Sequence, residues 1–269
     1  MRGFSLDTGL VFAYYIGKDF YIKEADRLKR KRRGLWITLA VLAALCIGCM
    51  VFLSGGYDAG NAATAALVGS ERVGVTQIDR KMTVFSPESP EVGLVFYPGG
   101  LVEYTAYAPL MRQLADEGIM TVLLHMPLDL AFTNINGAVK VAEQYPEIKR
   151  WYIGGHSLGG VMAASCAVSG RRSFDGVILL ASYSTKDLHD ENVLSIYGSN
   201  DGVLNRKQYD KNRKKLPEDV TEVVLDGGIH AFFGDYGAQK GDGTPTITRE
   251  EQTRQTARLI LDFIHANGH

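Results

Sequence analysis

Cysteine is scarce in this chain: three residues in 269, at positions 46, 49 and 166. That number is too small and too scattered for a disulfide framework, so a fold stapled by cross-links is excluded. Cys46 and Cys49 form a C-x-x-C, but both lie in an apolar run without a second pair of ligands, so they read as structural, not as a metal or redox centre. Net charge is also nearly missing, at −1, which argues against nucleic acid as a partner because phosphate binding needs a basic excess. Low-complexity tracts and internal repeats are absent. With 46% hydrophobic and 22% charged residues, the composition is that of an ordinary globular protein with one sizeable core.

The near-zero charge hides an asymmetry. Residues 1–34 hold nine Lys/Arg against four Asp/Glu and carry +5, whereas the rest carries −6. Directly after this basic head, residues 35–53 (LWITLAVLAALCIGCMVFL) contain no charge, and at the helical rise their length matches a hydrocarbon core of ~30 Å. A transmembrane helix is expected there. Arg27 and residues 29–33 form a basic cluster before it, and residues 54–70 have no Lys or Arg, so the positive-inside rule keeps the N-terminus cytoplasmic and the body extracytoplasmic. A cleaved signal peptide competes, with Ala63-Thr64-Ala65 as its cleavage site, but that site lies far past Leu53 and the basic head is long. A buried core helix would need a place for a helix apolar on every face. The expected organisation is a basic segment at 1–34, a membrane helix at 35–53, a connector at 54–72 and a catalytic domain at 73–269.

Within the body, short apolar runs at 81–85, 92–97, 120–125, 151–154, 176–181, 193–197 and 221–225 have the length of buried strands. Helix-like stretches at 107–117, 136–144, 158–169, 206–215 and 249–266 alternate with them, which predicts an α/β fold with a mostly parallel sheet.

One motif carries chemistry. Gly155-His156-Ser157-Leu158-Gly159 fits G-x-S-x-G and stands between an expected strand and an expected helix, the tight turn that lifts a serine hydroxyl above a sheet. A serine needs a base, and the base needs an orienting carboxylate. Asp201, in Tyr197-Gly198-Ser199-Asn200-Asp201-Gly202, and His230, in Asp226-Gly227-Gly228-Ile229-His230, each follow an expected strand, in the order Ser, Asp, His. Asp226, Asp235, Asp190 and Glu191 are rival acids, but Asp226 belongs to the turn itself and Asp190 and Glu191 precede their strand. Of the other histidines, His156 is fixed in the elbow, His189 lies in a polar loop, His265 and His269 lie in or beyond the last helix, and His125 ends a strand, where a packed or hydrogen-bonded role is expected ahead of one lining the pocket. Oxyanion donors are expected from the backbone N–H of Leu158 and from the loop Tyr97-Pro98-Gly99-Gly100-Leu101-Val102, with Gly100 ahead of Leu101.

The runs FYPGGLVEYTAYAPL, GGHSLGG, YGSNDG and GGIHAFFGDYGAQKGDG together resemble the α/β-hydrolase superfamily, distantly the dienelactone hydrolases, from Val73 to the C-terminus. That resemblance implies a mostly parallel sheet flanked by helices and a Ser157–Asp201–His230 site that needs no cofactor. Dienelactone hydrolases use cysteine where this chain has serine, so their particular reaction is not implied. Only a short polar loop separates the runs ending at 181 and starting at 193, so no large cap is expected. The Gly-rich, aromatic segment 231–245 is expected either to wall the pocket or to fix the histidine. The function expected is a membrane-anchored carboxylic-ester hydrolase acting on a small ester or acyl substrate. The alternatives are an acyltransferase, or a binding or scaffold module at the membrane surface whose triad is unused.

Overall fold

The computed structural model describes residues 29–34, 36–45, 48, 55–79 and 81–268. Cys46, Cys49, Leu53 and residues 1–28 lie outside the described residues, so the expected membrane span is described only in part. Residues 36–45 are helical, with Trp36, Ile37 and Leu45 exposed. Among the described residues, no helix is long and apolar enough to cross a membrane.

The chain divides into two compact units, Met1–Gly55 and Gly56–His269. The second unit therefore starts well before the expected domain boundary at Val73, and the stretch read as a connector is part of the folded body. The reason is specific bonding: Tyr57 N–H donates to Leu101 O at 2.8 Å, Glu103 N–H to Tyr57 O at 2.9 Å, and Gly60 N–H to Asp235 O at 2.7 Å. A short helix α1 (Asn61–Ala66) follows, with Ala63 fully buried.

The body is an eight-stranded sheet in the order β1-β2-β4-β3-β5-β6-β7-β8. Its strands are β1 (Val73–Ile78), β2 (Met82–Pro87), β3 (Val92–Tyr97), β4 (Ile119–Leu124), β5 (Arg150–His156), β6 (Gly176–Leu180), β7 (Val193–Gly198) and β8 (Thr221–Leu225). β2 pairs antiparallel with β1 and β4, and every other pairing is parallel. β3, β4 and β6 are buried along their whole length, which is why they read as unbroken apolar runs: both sheet faces are covered.

Side chains alternate across the sheet with the two-residue period of a strand. Leu94 and Phe96 of β3 join one core with Leu110, Met111 and Leu114 of α2 (Ala108–Asp116) and Ile260, Phe263 and Ile264 of α6 (Arg249–Ala266). Val95 and Tyr97 point into the other core, with Val139, Val141 and Ala142 of α3 (Gly137–Gln144) and Ala163, Ala164 and the free, buried Cys166 of α4 (Leu158–Ala167). α5 (Arg206–Asn212) completes the helices. α6 starts at a capping arrangement in which the Thr248 side chain accepts from Glu251 N–H, with Glu250 and Glu251 in the first turn. The stretch between β6 and β7 holds no helix, as expected for a fold without a cap.

Candidate active site

β5 delivers Gly155 and His156 to the carboxyl edge of the sheet, and the chain turns into α4 through Ser157. Ser157 has φ 53° and ψ −122°, a strained backbone for a residue with a side chain. Two bonds hold it there: its N–H donates to Leu180 O at 2.9 Å, and the Ser182 hydroxyl donates to Ser157 O at 2.7 Å. The turn closes because its neighbours lack side chains. A Cβ on Gly155 would lie 2.5 Å from Gly159 C, and one on Gly159 would lie 2.2 Å from Tyr97 O.

Asp201 sits in the turn after β7. Its Oδ1 accepts from the N–H groups of Val203 at 2.9 Å and Leu204 at 2.7 Å, leaving Oδ2 for His230 Nδ1 at 2.9 Å. Both side chains are 1% exposed. The turns after β7 and β8 are laced together by Ser199 N–H to Leu225 O and Asn200 N–H to Gly228 O, both 2.9 Å. On the far side of the loop, Gln252 of α6 grips Ile229 both ways, accepting its N–H at 3.0 Å and donating to its O at 2.8 Å.

Ser157 and His230 line one cavity of about 230 Å³ with Leu158, Ser182, Tyr183 and Leu204. His230 Nε2 is buried without a hydrogen-bond partner, and Ser157 Oγ makes no hydrogen bond among the described residues. The pair thus shares a pocket without a formed Ser–His bond, a looseness common before substrate arrives. Size alone does not locate such a site. A roomier hollow of about 730 Å³ is lined by Ser173, Asp187 and His189, but all three are exposed and no hydrogen bond joins the serine to the histidine.

The oxyanion expectation sharpens. Leu101 N–H is spent on Asp129 O at 2.8 Å and Gly99 N–H on the Tyr107 hydroxyl at 3.0 Å, whereas Gly100 and Leu158 have no acceptor among the described residues. They are also adjacent, since a Cβ on Gly100 would meet Leu158 Cδ2 at 3.1 Å. Gly100, not Leu101, is therefore the loop position with a free donor.

The rivals fall elsewhere. Asp226 is exposed and meets the Ser199 hydroxyl at 3.4 Å; Asp235 pairs with Arg249 at 2.6 Å and accepts from Ala63 N–H at 2.9 Å. His125 meets Tyr104 edge-on, His189 bonds Asp187, and His265 lies on α6, while His269 lies outside the described residues. His156 is closer to the chemistry than expected. Its ring lies 4.4 Å from that of His230, centroid to centroid, and its Nδ1 is 2.8 Å from Tyr107 Oη. The Tyr107 hydroxyl thus joins Gly99 N–H, from which it accepts, to His156 Nδ1, where the direction of the bond follows the imidazole tautomer. Burial, and then the neighbouring His230, push the His156 pKa well below its ordinary value, so this ring stays neutral.

Three contributors escaped the sequence reading: Tyr107, Gln252 and Asp242. Asp242 accepts from the N–H groups of both His230 and Gly202, so the segment after His230 serves to fix the histidine. The GDG at 241–243 was the visible signal, but nothing local says which loop it grips.

The sheet order, a serine at the turn from β5 into α4, and an aspartate after β7 bonded to a histidine after β8 are the arrangement of an α/β hydrolase. The Alpha/beta hydrolase family model matches residues 93–254, more than half of the chain, and the chain belongs to that family. Among solved structures it is similar to a thermophilic esterase from Thermogutta terrifontis with butyrate bound, at 13% identity and TM-score 0.52, covering 74% of this chain and 95% of that one. It is likewise similar to Est1E from Butyrivibrio proteoclasticus, at 15% identity and TM-score 0.51 over 72% and 100% of the two chains. A predicted CIB-like hydrolase from Thermoplasma acidophilum matches at 16% identity and TM-score 0.51 over 71% and 98%. At such identities the likeness is one of fold. No curated protein matches the chain.

Proposed function

We propose that this protein is a membrane-anchored serine hydrolase that cleaves small carboxylic esters through an acyl-enzyme on Ser157. The observation that carries the reading is the strained Ser157 turn, φ 53°, opening into the same cavity as a His230 whose other ring nitrogen is 2.9 Å from Asp201. Backbone strain persists at a position only where the surroundings hold it, and here it presents a hydroxyl to a buried base.

In the proposed reaction, His230 Nε2 takes the Ser157 proton as the oxygen attacks the ester carbonyl. Asp201 holds Nδ1–H and with it the tautomer that leaves Nε2 free to accept. The developing oxyanion receives the N–H groups of Gly100 and Leu158. His230 then protonates the leaving alcohol, and the same steps with water in place of alcohol release the acid. The cavity of about 230 Å³ and the absence of a cap suit a short acyl chain, and one fold neighbour is an esterase with butyrate bound.

The anchor rests on sequence: the uncharged run 35–53 behind a basic cluster, with an N-terminus in the cytoplasm and the hydrolase outside. Protease added to intact cells should remove the hydrolase body, and protection of the body would reverse the orientation.

The test of the chemistry is fluorophosphonate labelling of the full chain in detergent, alongside turnover of a butyrate ester. Wild type should label and Ser157→Ala should not, with turnover reduced on the order of 10⁴–10⁶-fold. Turnover retained in Ser157→Ala would remove the serine mechanism.

A further inference from the structure

We infer that Asp242 is a positioning residue that holds the base in register with the acid, an assignment that rests on the Ser157–Asp201–His230 reading. Its carboxylate collects four backbone N–H groups: Oδ1 accepts from Gly202 at 3.1 Å, His230 at 3.2 Å and Gly243 at 2.9 Å, and Oδ2 accepts from Ala231 at 2.7 Å. Gly202 follows Asp201, and the other two distant donors are His230 itself and its successor. One charged group thus bridges the two loops whose side chains must meet at 2.9 Å.

No Lys or Arg pairs with Asp242 among the described residues. Its charge is balanced by N–H dipoles alone, and hydrogen bonds to a charged acceptor are roughly twice as strong as neutral ones. The turn that carries it has no slack. A Cβ on Gly202 would lie 2.4 Å from Gly241 O, and one on Gly243 would lie 1.9 Å from Asn200 O, so backbone meets backbone on both sides of Asp242.

Asp201 fixes the imidazole at Nδ1, and Asp242 fixes the backbone from which that imidazole hangs. The ring needs both: with the backbone free, Nδ1 keeps its partner only by letting Nε2 wander from Ser157. Misplacement of about 1 Å costs on the order of 10²-fold in rate. Asp242 lies outside the cavity lining and touches no reacting atom, so its loss acts on turnover and not on substrate affinity.

The test uses the full chain with a water-soluble butyrate ester and fluorophosphonate. Asp242→Asn keeps the shape but turns an NH₂ toward donors, and should lower kcat about tenfold; Asp242→Ala should lower it about 10²-fold, with KM within about threefold of wild type. Labelling of Ser157 should slow in parallel. In an Asp201→Ala background the pair that Asp242 aligns is already broken, so adding Asp242→Asn should cost less than about threefold more. A folded Asp242→Asn with wild-type kcat, a rise in KM at constant kcat, or full additivity with Asp201→Ala would overturn the assignment while leaving wild-type labelling intact. A wild type that never labels overturns the triad itself and Asp242's role with it. Should Asp242→Ala fail to fold, the near-isosteric Asn variant carries the comparison.

Discussion

Ser157 and His230 reach the same cavity by different means. Around Ser157, glycines let backbone touch backbone: Gly159 packs against Tyr97 O and Pro98 O, and Gly160 against the Ser182 hydroxyl. Around His230, side chains of distant residues do the holding: Asp201, Asp242 and Gln252 reach the loop by hydrogen bonds. A steric clamp fails all at once, because no rotation relieves a backbone clash. A hydrogen-bonded clamp loses its members one by one, at about 0.5–1.5 kcal/mol for a neutral bond and more for a charged one.

This contrast is open to direct attack. The largest stability effect is expected from Gly159→Ala, whose Cβ would lie 2.2 Å from Tyr97 O and 2.3 Å from Pro98 O. Loss of at least about 4 kcal/mol, or no folded protein at all, should show in chemical denaturation; a variant near wild-type stability would mean the elbow can yield.

A middle-sized effect falls where the two clamps touch, at His156. Its folded-state pKa is depressed below the ordinary 6.5, so below that pH the unfolded chain takes up a proton that the folded chain refuses. The stability this group leaves intact above pH 6.5 is therefore lost as pH falls, by up to about 1.4 kcal/mol per pH unit until the folded pKa is reached. Urea unfolding between pH 7 and 5 should show that slope, and His156→Gln should flatten it. An unchanged slope in the variant would place the acid sensitivity in other groups.

The smallest effect is expected at Asp226→Asn. Its carboxylate is exposed and meets only the Ser199 hydroxyl at 3.4 Å, so turnover should stay within about twofold of wild type. A large loss would show that the β7–β8 turns depend on a side chain the geometry leaves idle.

How legible the molecule was follows the same division. The central strands announced themselves because both their faces are covered, making β3 a continuous apolar run at its expected bounds and β6 one that ends a residue earlier than expected. β1 escaped notice: as an edge strand it alternates with polar and exposed positions, and its VGVTQI is indistinct from a loop. The lead-in read as a connector because its Ala and Gly composition says nothing of the long-range bonds from Tyr57 and Gly60. The Ser157 elbow was readable because its signature lies within six residues, Gly155 to Gly160, although Leu180, Ser182 and Tyr97 complete the hold on it. Asp201 and His230 were readable from their places after strands, but Asp242 was not: its carboxylate serves loops 40 and 12 residues away.

By itself the sequence determined the alternation of strand and helix, the tight turn at Ser157 and the places of Asp201 and His230 after strands. These depend on local sterics and on a periodicity of burial that is written residue by residue. Tertiary structure alone decided that Leu101 spends its N–H on Asp129 while Gly100 keeps its own, and that His156 sits neutral against His230. It also decided that one carboxylate at 242 ties two loops together. Each of these is a competition for hydrogen-bond partners among groups far apart in the chain, and which partner wins is set only when the fold brings them within 3 Å or so of one another.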